Sequence, residues 1–409
     1  MSHFLDSVPF SGIIRIRDMM YAVERPFRLD QGDVSFDAPQ SVKEGMAQAI
    51  ADNRSHYLQT AGLPRLQELL AEKLRTKNRI PVGSPDEVLV TNGGIHALYI
   101  LFQALLDPGD EVIIPDPLWP PASGTILSAR GAVVRYPLHE GTLWRLDIDE
   151  LAARITPKTR AIYVNSPQNP TGGVLTRDDI EAIAALADRQ GLWVISDEAY
   201  EDVVFGVEHV SAASLAGMYP RTVPVYTFSK SYAMTGLRLG YMAVSDPALR
   251  DRVRKTLFFT TSNVSSVVQY GGIGALEGSQ EVVQQYRAEL QARRDLFYSG
   301  IDSLGGVFEG RPPRGAFYAF LKFDPDWKAR VEPSLAAAVA GRSGTGSAIA
   351  ASPSWELTEF LISAGRIGCI PGVDFGPGGE GYLRFCFARE RAELAGAIDS
   401  MKRVFSRQP

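Results

Sequence analysis

The chain has 409 residues, 45% of them apolar and 22% charged, the balance of a globular protein long enough for two or three domains. A formal net charge of −5 argues against nucleic acid or an anionic membrane surface as the main partner. The two cysteines, Cys369 and Cys386, lack zinc-site spacing and are too few for a disulfide framework; the opening MSHFLDSVPFSGIIRIRDMM is interrupted by Asp6 and Asp18, and no apolar stretch would span a bilayer, so a cytoplasmic protein with two buried thiols is expected.

No internal repeat is evident, and the first forty or so residues have no obvious strand partner. From about residue 85 strands and helices alternate. EVLVT (87–91) reads as a strand, and GGIHALYILFQALL as a helix entered through two glycines. DEVIIPDP (110–117) is a strand ending in a Pro-rich loop, and TRAIYVNSPQNPTG (159–172) a strand running into a turn cluster. DDIEAIAALADRQ is helical; GLWVISDEAY (191–200) and VPVYTFS (223–229) are strands. This alternation predicts an α/β fold with a mostly parallel central sheet and helices on both faces. After about residue 285 the pattern changes. A long charged helix, EVVQQYRAELQARRDLFYSGIDSL, precedes two alternating aromatic-rich strands, GAFYAFLKF and GYLRFCFA, which suggest a smaller α+β domain. The expected division is a large domain over 46–285 and a small one built from 1–45 and 286–409. The Ala/Gly/Ser-rich stretch over 332–355 reads as a surface insertion, with a lid as the alternative.

Polar clusters gather where strands end, the place where open α/β sheets bind ligands. In TNGGIHAL (91–98), Gly93 and Gly94 expose backbone N–H groups at a helix start, a tight turn or a phosphate cradle. In NSPQNPTGG (165–173), Asn169 is a turn residue or an amide donor to a phenolic oxygen. In SDEAY (196–200), Asp197 is a helix cap or a carboxylate that keeps a cationic nitrogen protonated. In TFSKSYAMTGLRLGY (227–241), Lys230 follows a buried strand and Arg238 follows it in a Gly-Leu-Arg-Leu-Gly frame. A charge at the end of a buried strand is paired or at work. One ligand takes a phosphate cradle, an amide, a carboxylate, a lysine and an arginine together: pyridoxal 5′-phosphate.

In order and local sequence these motifs resemble the fold type I pyridoxal-phosphate enzymes, specifically the class I/II aminotransferases of the aspartate aminotransferase superfamily, from about Arg28 to Ala388. The resemblance implies that Lys230 forms the internal aldimine and carries the Cα proton, and that Asp197 pairs with the pyridinium nitrogen. It places Asn169 and Tyr200 on the phenolic oxygen. Thr227, Ser229, Arg238 and the backbone of Gly93, Gly94 and Ile95 would hold the phosphate, and Trp119 in PDPLWPP would stack on the ring. Arg384 in GYLRFCFA would grip the substrate α-carboxylate, with Asn169 and Gly32 on the substrate side. Tyr57 in HYLQTAGLPRL would reach the phosphate of a neighbouring subunit, implying a homodimer. The implied reaction is ping-pong transfer of an amino group from an L-amino acid to a 2-oxo acid.

The donor is less constrained. Ile95 stands where some aspartate-using relatives carry a lysine, so a distal carboxylate would need another cation. Arg15 and Arg17 are candidates, or form a solvated basic helix face. Aspartate-like and aromatic donors both remain open. The same scaffold also serves C–S β-lyases, in which the substrate loses a leaving group, and non-catalytic pyridoxal-phosphate-binding regulatory domains. No helix-turn-helix pattern accompanies the fold to support the latter.

Overall fold

A computed structural model of the protein describes residues 11–332 and 352–406, with Phe4, Asp6 and Val8. Of the stretch over 332–355 expected to form an insertion or lid, 333–351 lie outside the described residues, and its end is not loop: 353–355 open the helix Pro353–Gly365, with Trp355 buried.

Seven strands form the larger sheet: β1 (Val88–Thr91), β2 (Glu111–Asp116), β3 (Ala132–Pro137), β4 (Thr159–Asn165), β5 (Trp193–Asp197), β6 (Thr222–Thr227) and β7 (Gly240–Ala243), in the order β1-β7-β6-β5-β4-β2-β3. The β2–β3, β2–β4, β4–β5 and β5–β6 pairs are parallel, whereas β7 runs antiparallel to both β1 and β6. Neither β3 nor β7 was expected from the sequence. β7 is four residues long and starts on a glycine, too short for a period to show.

Strand alternation divides the apolar residues between two layers. Val112 and Ile114 pack with the helix Gly94–Leu105 on one face, while Ile113 between them joins Ile162, Val164 and Val194 beneath the helix Arg177–Gln190 on the other. A sheet buried on both faces leaves its strand ends as the place for polar groups. Asn165 of β4 lies in register with Asp197 of β5, and Asp197 with Val225 of β6, so the carboxyl ends of these strands open at one edge.

The second sheet is antiparallel, with β8 (Phe308–Glu309), β9 (Tyr318–Phe323), β10 (Ile370–Pro371) and β11 (Tyr382–Cys386) in the order β10-β11-β9-β8. The helices Glu281–Asp302 and Arg391–Val404 cover it through Phe297, Leu394 and Met401, which pack with Phe385 and Leu383. The N-terminal segment joins this body. Cys386 N donates to Leu29 O at 2.7 Å, and Ile16 and Met20 of the helix Gly12–Tyr21 pack with Phe320, Trp355 and Ile370. Both cysteines are free and buried. Among the described residues no helix is long and apolar enough to cross a membrane.

Candidate active site

A cavity of about 250 Å³ opens at the carboxyl ends of β4, β5 and β6, with the second sheet and the N-terminal segment closing its other side. Lys230 enters it from the short helix Phe228–Ser231, which Thr227 caps by accepting from Ser229 N. Its Nζ donates to the carbonyl oxygen of Gly32 at 2.6 Å. Burial lowers the ammonium to about 8; Asp33 and Cys386 oppose the shift, and Arg384 and Arg238 add to it. A lysine in this state is a usable nucleophile and base near neutral pH.

Asp197 ends β5 with its carboxyl buried. Tyr163 Oη donates to Oδ2 at 2.6 Å and Ala199 N to Oδ1 at 3.2 Å. Burial raises the carboxyl to about 6, against the pull of those two donors. Asp197 thus has a local turn contact, but it is not the cap of a helix. The neighbouring Glu198 faces away, bonded to His209, Ser211 and Tyr226, and is held below its usual range despite its burial.

Asn169 is buried rather than exposed on its turn. Its backbone N donates to Asn165 Oδ1 at 2.9 Å, and its carbonyl accepts from Trp119 N at 3.1 Å. Its Nδ2 lies 3.5 Å from Tyr200 Oη, and its Oδ1 accepts from Arg384 Nη1 at 3.1 Å. The other arm of Arg384, Nη2, donates to Asp30 O at 2.7 Å, and Nε has no partner. The guanidinium, 1% exposed, lies 4.5 Å over the Tyr318 ring and 5.1 Å over that of Phe375.

At the far end, β1 leads into Gly93, whose φ of +82° and ψ of 168° suit only glycine. A Cβ there would lie 2.4 Å from Arg238 Nη2, so the guanidinium rests directly on the glycine turn. Arg238 Nη1 donates to Thr235 O at 2.7 Å. Thr227 Oγ1 donates to Ser229 Oγ at 2.8 Å, and both residues line the cavity with Gly94 and Arg238. Backbone N–H groups at a helix start, two hydroxyls and a guanidinium form a site for a dianionic group.

Gly32, Ile95 and Trp119 also line the cavity. Tyr57 does not; its side chain is on the surface, 90% exposed. Arg15 pairs with Glu359 at 2.9 Å and lies over Trp355, and Arg17 pairs with Asp18 at 3.2 Å, whereas Ile13 of the same helix lines the cavity. Neither arginine is among the residues that line the cavity. Sequence reasoning missed Tyr163, Asn165, Ile13 and Tyr318. Tyr163 carried a signal: it lies two residues before Asn165 on one strand and so points to the same face.

These residues fit pyridoxal phosphate on their own geometry. Asp197 is a buried carboxylate that forms no ion pair among the described residues, Arg384 Nε is an orphaned donor, and the Gly93 cradle has no room for a methyl group. Known proteins agree. The family described as aminotransferase class I and II matches residues 24–401. The chain belongs to that family. It is 35% identical over 407 residues to the aspartate aminotransferase of Pyrococcus abyssi, covering 99% of this chain and 98% of the relative. It is 33% identical over the same length to aromatic-amino-acid aminotransferase 2 of Thermococcus litoralis, again covering 99% and 98%. The structure of Thermus thermophilus aspartate aminotransferase with maleate superposes with a TM-score of 0.85 at 30% identity over 99% of each chain. The protein is thus a pyridoxal-phosphate-dependent aminotransferase, and its mostly parallel seven-stranded sheet with a smaller antiparallel sheet is the architecture of that family.

Proposed function

We propose that this aminotransferase uses Lys230 as the residue that bonds the cofactor and moves the substrate proton, in a ping-pong exchange between an L-amino acid and a 2-oxo acid. The observation that carries this is the buried Lys230 amine, lowered to about 8 and lying in one cavity with Asp197, Arg238 and Arg384. Bound pyridoxal phosphate supplies an electrophilic aldehyde and an electron sink. Asp197 holds the ring nitrogen protonated; the added cation satisfies a carboxylate whose burial otherwise favours its neutral form. Asn169 and Tyr200 bind the phenolic oxygen. Gly93, Gly94 and Ile95 through their backbone, with Thr227, Ser229 and Arg238, hold the phosphate, and Trp119 covers the ring. Arg384 takes the α-carboxylate in place of Asn169 Oδ1 and Asp30 O, beside Gly32, and so fixes the donor with its Cα–H towards Lys230. Lys230 Nζ would be the group that removes the Cα proton, holds it and gives it back.

A homodimer completes this reading. Tyr57, Phe258 and Phe259 are 90%, 53% and 78% exposed, large apolar side chains that a second copy of the chain would cover. Tyr57 then reaches the partner's phosphate. The large body over 46–285 and the small one over 1–45 and 286–409 meet at the cavity. The helices Gln40–Ala51 and Glu281–Asp302 run across those limits and join the two. A cytoplasmic location accords with two free thiols.

The test is an absorbance spectrum of the purified holoenzyme before and after single L-amino acids, without acceptor. Conversion of the visible band to the pyridoxamine form, with one equivalent of 2-oxo acid, is the expected result. Aspartate and the aromatic amino acids, the donors in the relatives' names, head the panel. Pyruvate and ammonia forming continuously without acceptor would instead mean β-elimination.

A further inference from the structure

Tyr318 is a site residue that neither the motifs nor the proposed roles account for. It lies on β9 of the second sheet, 1% exposed, and its hydroxyl is 2.8 Å from that of Tyr200, which follows β5 of the first. Building on the reading above, we infer that Tyr318 is a positioning residue whose hydroxyl donates to Tyr200 and thereby commits the Tyr200 proton to the cofactor's phenolic oxygen.

Each phenol carries one proton and accepts with its lone pairs. Tyr200 Oη has two neighbours, Asn169 Nδ2 at 3.5 Å and Tyr318 Oη at 2.8 Å. If Tyr200 gave its proton to Tyr318, it would have none for the cofactor. If Tyr318 is the donor, the Tyr200 proton is free to point into the cavity, and a donating chain makes it a stronger donor. Two features of Tyr318 set this direction. The Arg384 guanidinium lies 4.5 Å over its ring, closer than the 5.8 Å of the Lys230 ammonium over the Tyr200 ring, and the nearer cation polarises the Tyr318 hydroxyl further towards donation. On its other side the hydroxyl packs against Gly32, where a Cβ would lie 2.4 Å away, so no further acceptor fits there. Burial keeps both phenols protonated, so the pair always has two protons to place.

The same ring fixes Gly32, whose carbonyl receives Lys230 Nζ at 2.6 Å. One small-sheet residue therefore holds Tyr200, the Lys230 acceptor and the face of Arg384 in a single arrangement. The electronic setting of the cofactor depends in this way on how the second sheet packs on the first.

The test is a spectrophotometric pH titration of the visible band in the resting holoenzyme, in the parent, Tyr318→Phe, Tyr200→Phe and the double variant, with no substrate present. Donors to the phenolic oxygen spread its negative charge, so it holds the proton shared with the Lys230 nitrogen less tightly; removing one raises the titration midpoint. Tyr318→Phe should raise the midpoint by about 0.5 to 1, the worth of one neutral hydrogen bond, and Tyr200→Phe by more. The double variant should match Tyr200→Phe alone, because Tyr318 acts through Tyr200. An unmoved or lowered midpoint in Tyr318→Phe beside a raised one in Tyr200→Phe overturns the inference, as does full additivity in the double variant. A Tyr318→Phe protein that no longer takes up cofactor also overturns it, since a residue acting through Tyr200 cannot cost more than Tyr200→Phe. If Tyr200→Phe itself leaves the midpoint in place, the assignment of Tyr200 to the phenolic oxygen fails, and the inference fails with it.

Discussion

Arg384 on β11 donates from Nη1 to Oδ1 of Asn169, in the turn after β4, at 3.1 Å. One hydrogen bond thus joins the residue proposed for the substrate carboxylate to a residue proposed for the cofactor, across the two sheets. A carboxylate entering between them takes over a guanidinium that is already desolvated and aimed, so little ordering remains to be done on binding.

Replacing Arg384 with lysine tests that arrangement with a charge retained and the fork lost. An ammonium cannot reach both Asp30 O and Asn169 Oδ1, nor present two parallel donors to a carboxylate. The kcat/KM for amino donors should fall by about 10²- to 10³-fold. Bound cofactor, read from absorbance, should stay at the parental level. Loss of cofactor in step with activity would move Arg384 out of the substrate role.

Lys230→Ala should lower turnover by at least about 10⁴-fold, the combined loss of nucleophile and proton carrier. The resting absorbance should change as well, because the cofactor then has no amine to bond. Parental kinetics would end the assignment.

Asp197 makes a pH-dependent prediction for the cofactor-free protein. Its carboxyl is raised to about 6 in the folded chain, above the ordinary 3.8, so the stability it contributes is full below that ordinary value and is lost as pH rises through 6. Asp197→Asn removes the buried charge. Cofactor-free Asp197→Asn should therefore melt higher than the parent at pH 8, by something on the order of 1–3 kcal/mol, and match it more closely at pH 4. The same variant should bind pyridoxal phosphate more weakly and turn over more slowly by orders of magnitude, having lost the partner of the ring nitrogen. A variant less stable than the parent at pH 8 would show that the two hydrogen bonds to Asp197 outweigh its desolvation.

The strands that carry the chemistry were legible because each is a short apolar run ending in polar residues, as in EVLVTN, IYVNS, WVISD and VPVYT. Burial on both faces demands that pattern, and the strand end is where it must break. β7 was not legible, being four residues that pair antiparallel between β1 and β6, a placement fixed by tertiary pairing. Tyr318 was hidden for a different reason. Along GAFYAFLKF nearly every side chain is buried, so no alternation separates the tyrosine facing the cavity from its apolar neighbours. Of the two readings of Arg15 and Arg17, the cavity one finds no support, since neither lines it and each pairs with a carboxylate; Ile13, the residue of that helix that does line the cavity, has nothing in its chemistry to announce it.

The glycine pair at 93 and 94 offers a comparison in which one residue is its neighbour's control. Gly93 has φ +82°, where an alanine is strained, and its Cβ would lie 2.4 Å from Arg238 Nη2 and 3.0 Å from Cζ. Gly94 has no positive φ, and a Cβ there meets only Thr227 Cβ at 3.7 Å and Tyr226 O at 4.0 Å, ordinary contacts at the first position of a helix. Gly93→Ala should therefore destabilise the cofactor-free protein by about 1–3 kcal/mol. It should also weaken pyridoxal phosphate binding by about tenfold or more, since displacing Arg238 costs the phosphate a charge-assisted hydrogen bond. Gly94→Ala should leave the melting temperature within the scatter of a surface substitution, about 0.5 kcal/mol. Thermal melting and reconstitution with increasing cofactor read the two effects separately. Equal effects of the two substitutions would show that bulk in the loop matters and that the contact between Gly93 and Arg238 does not.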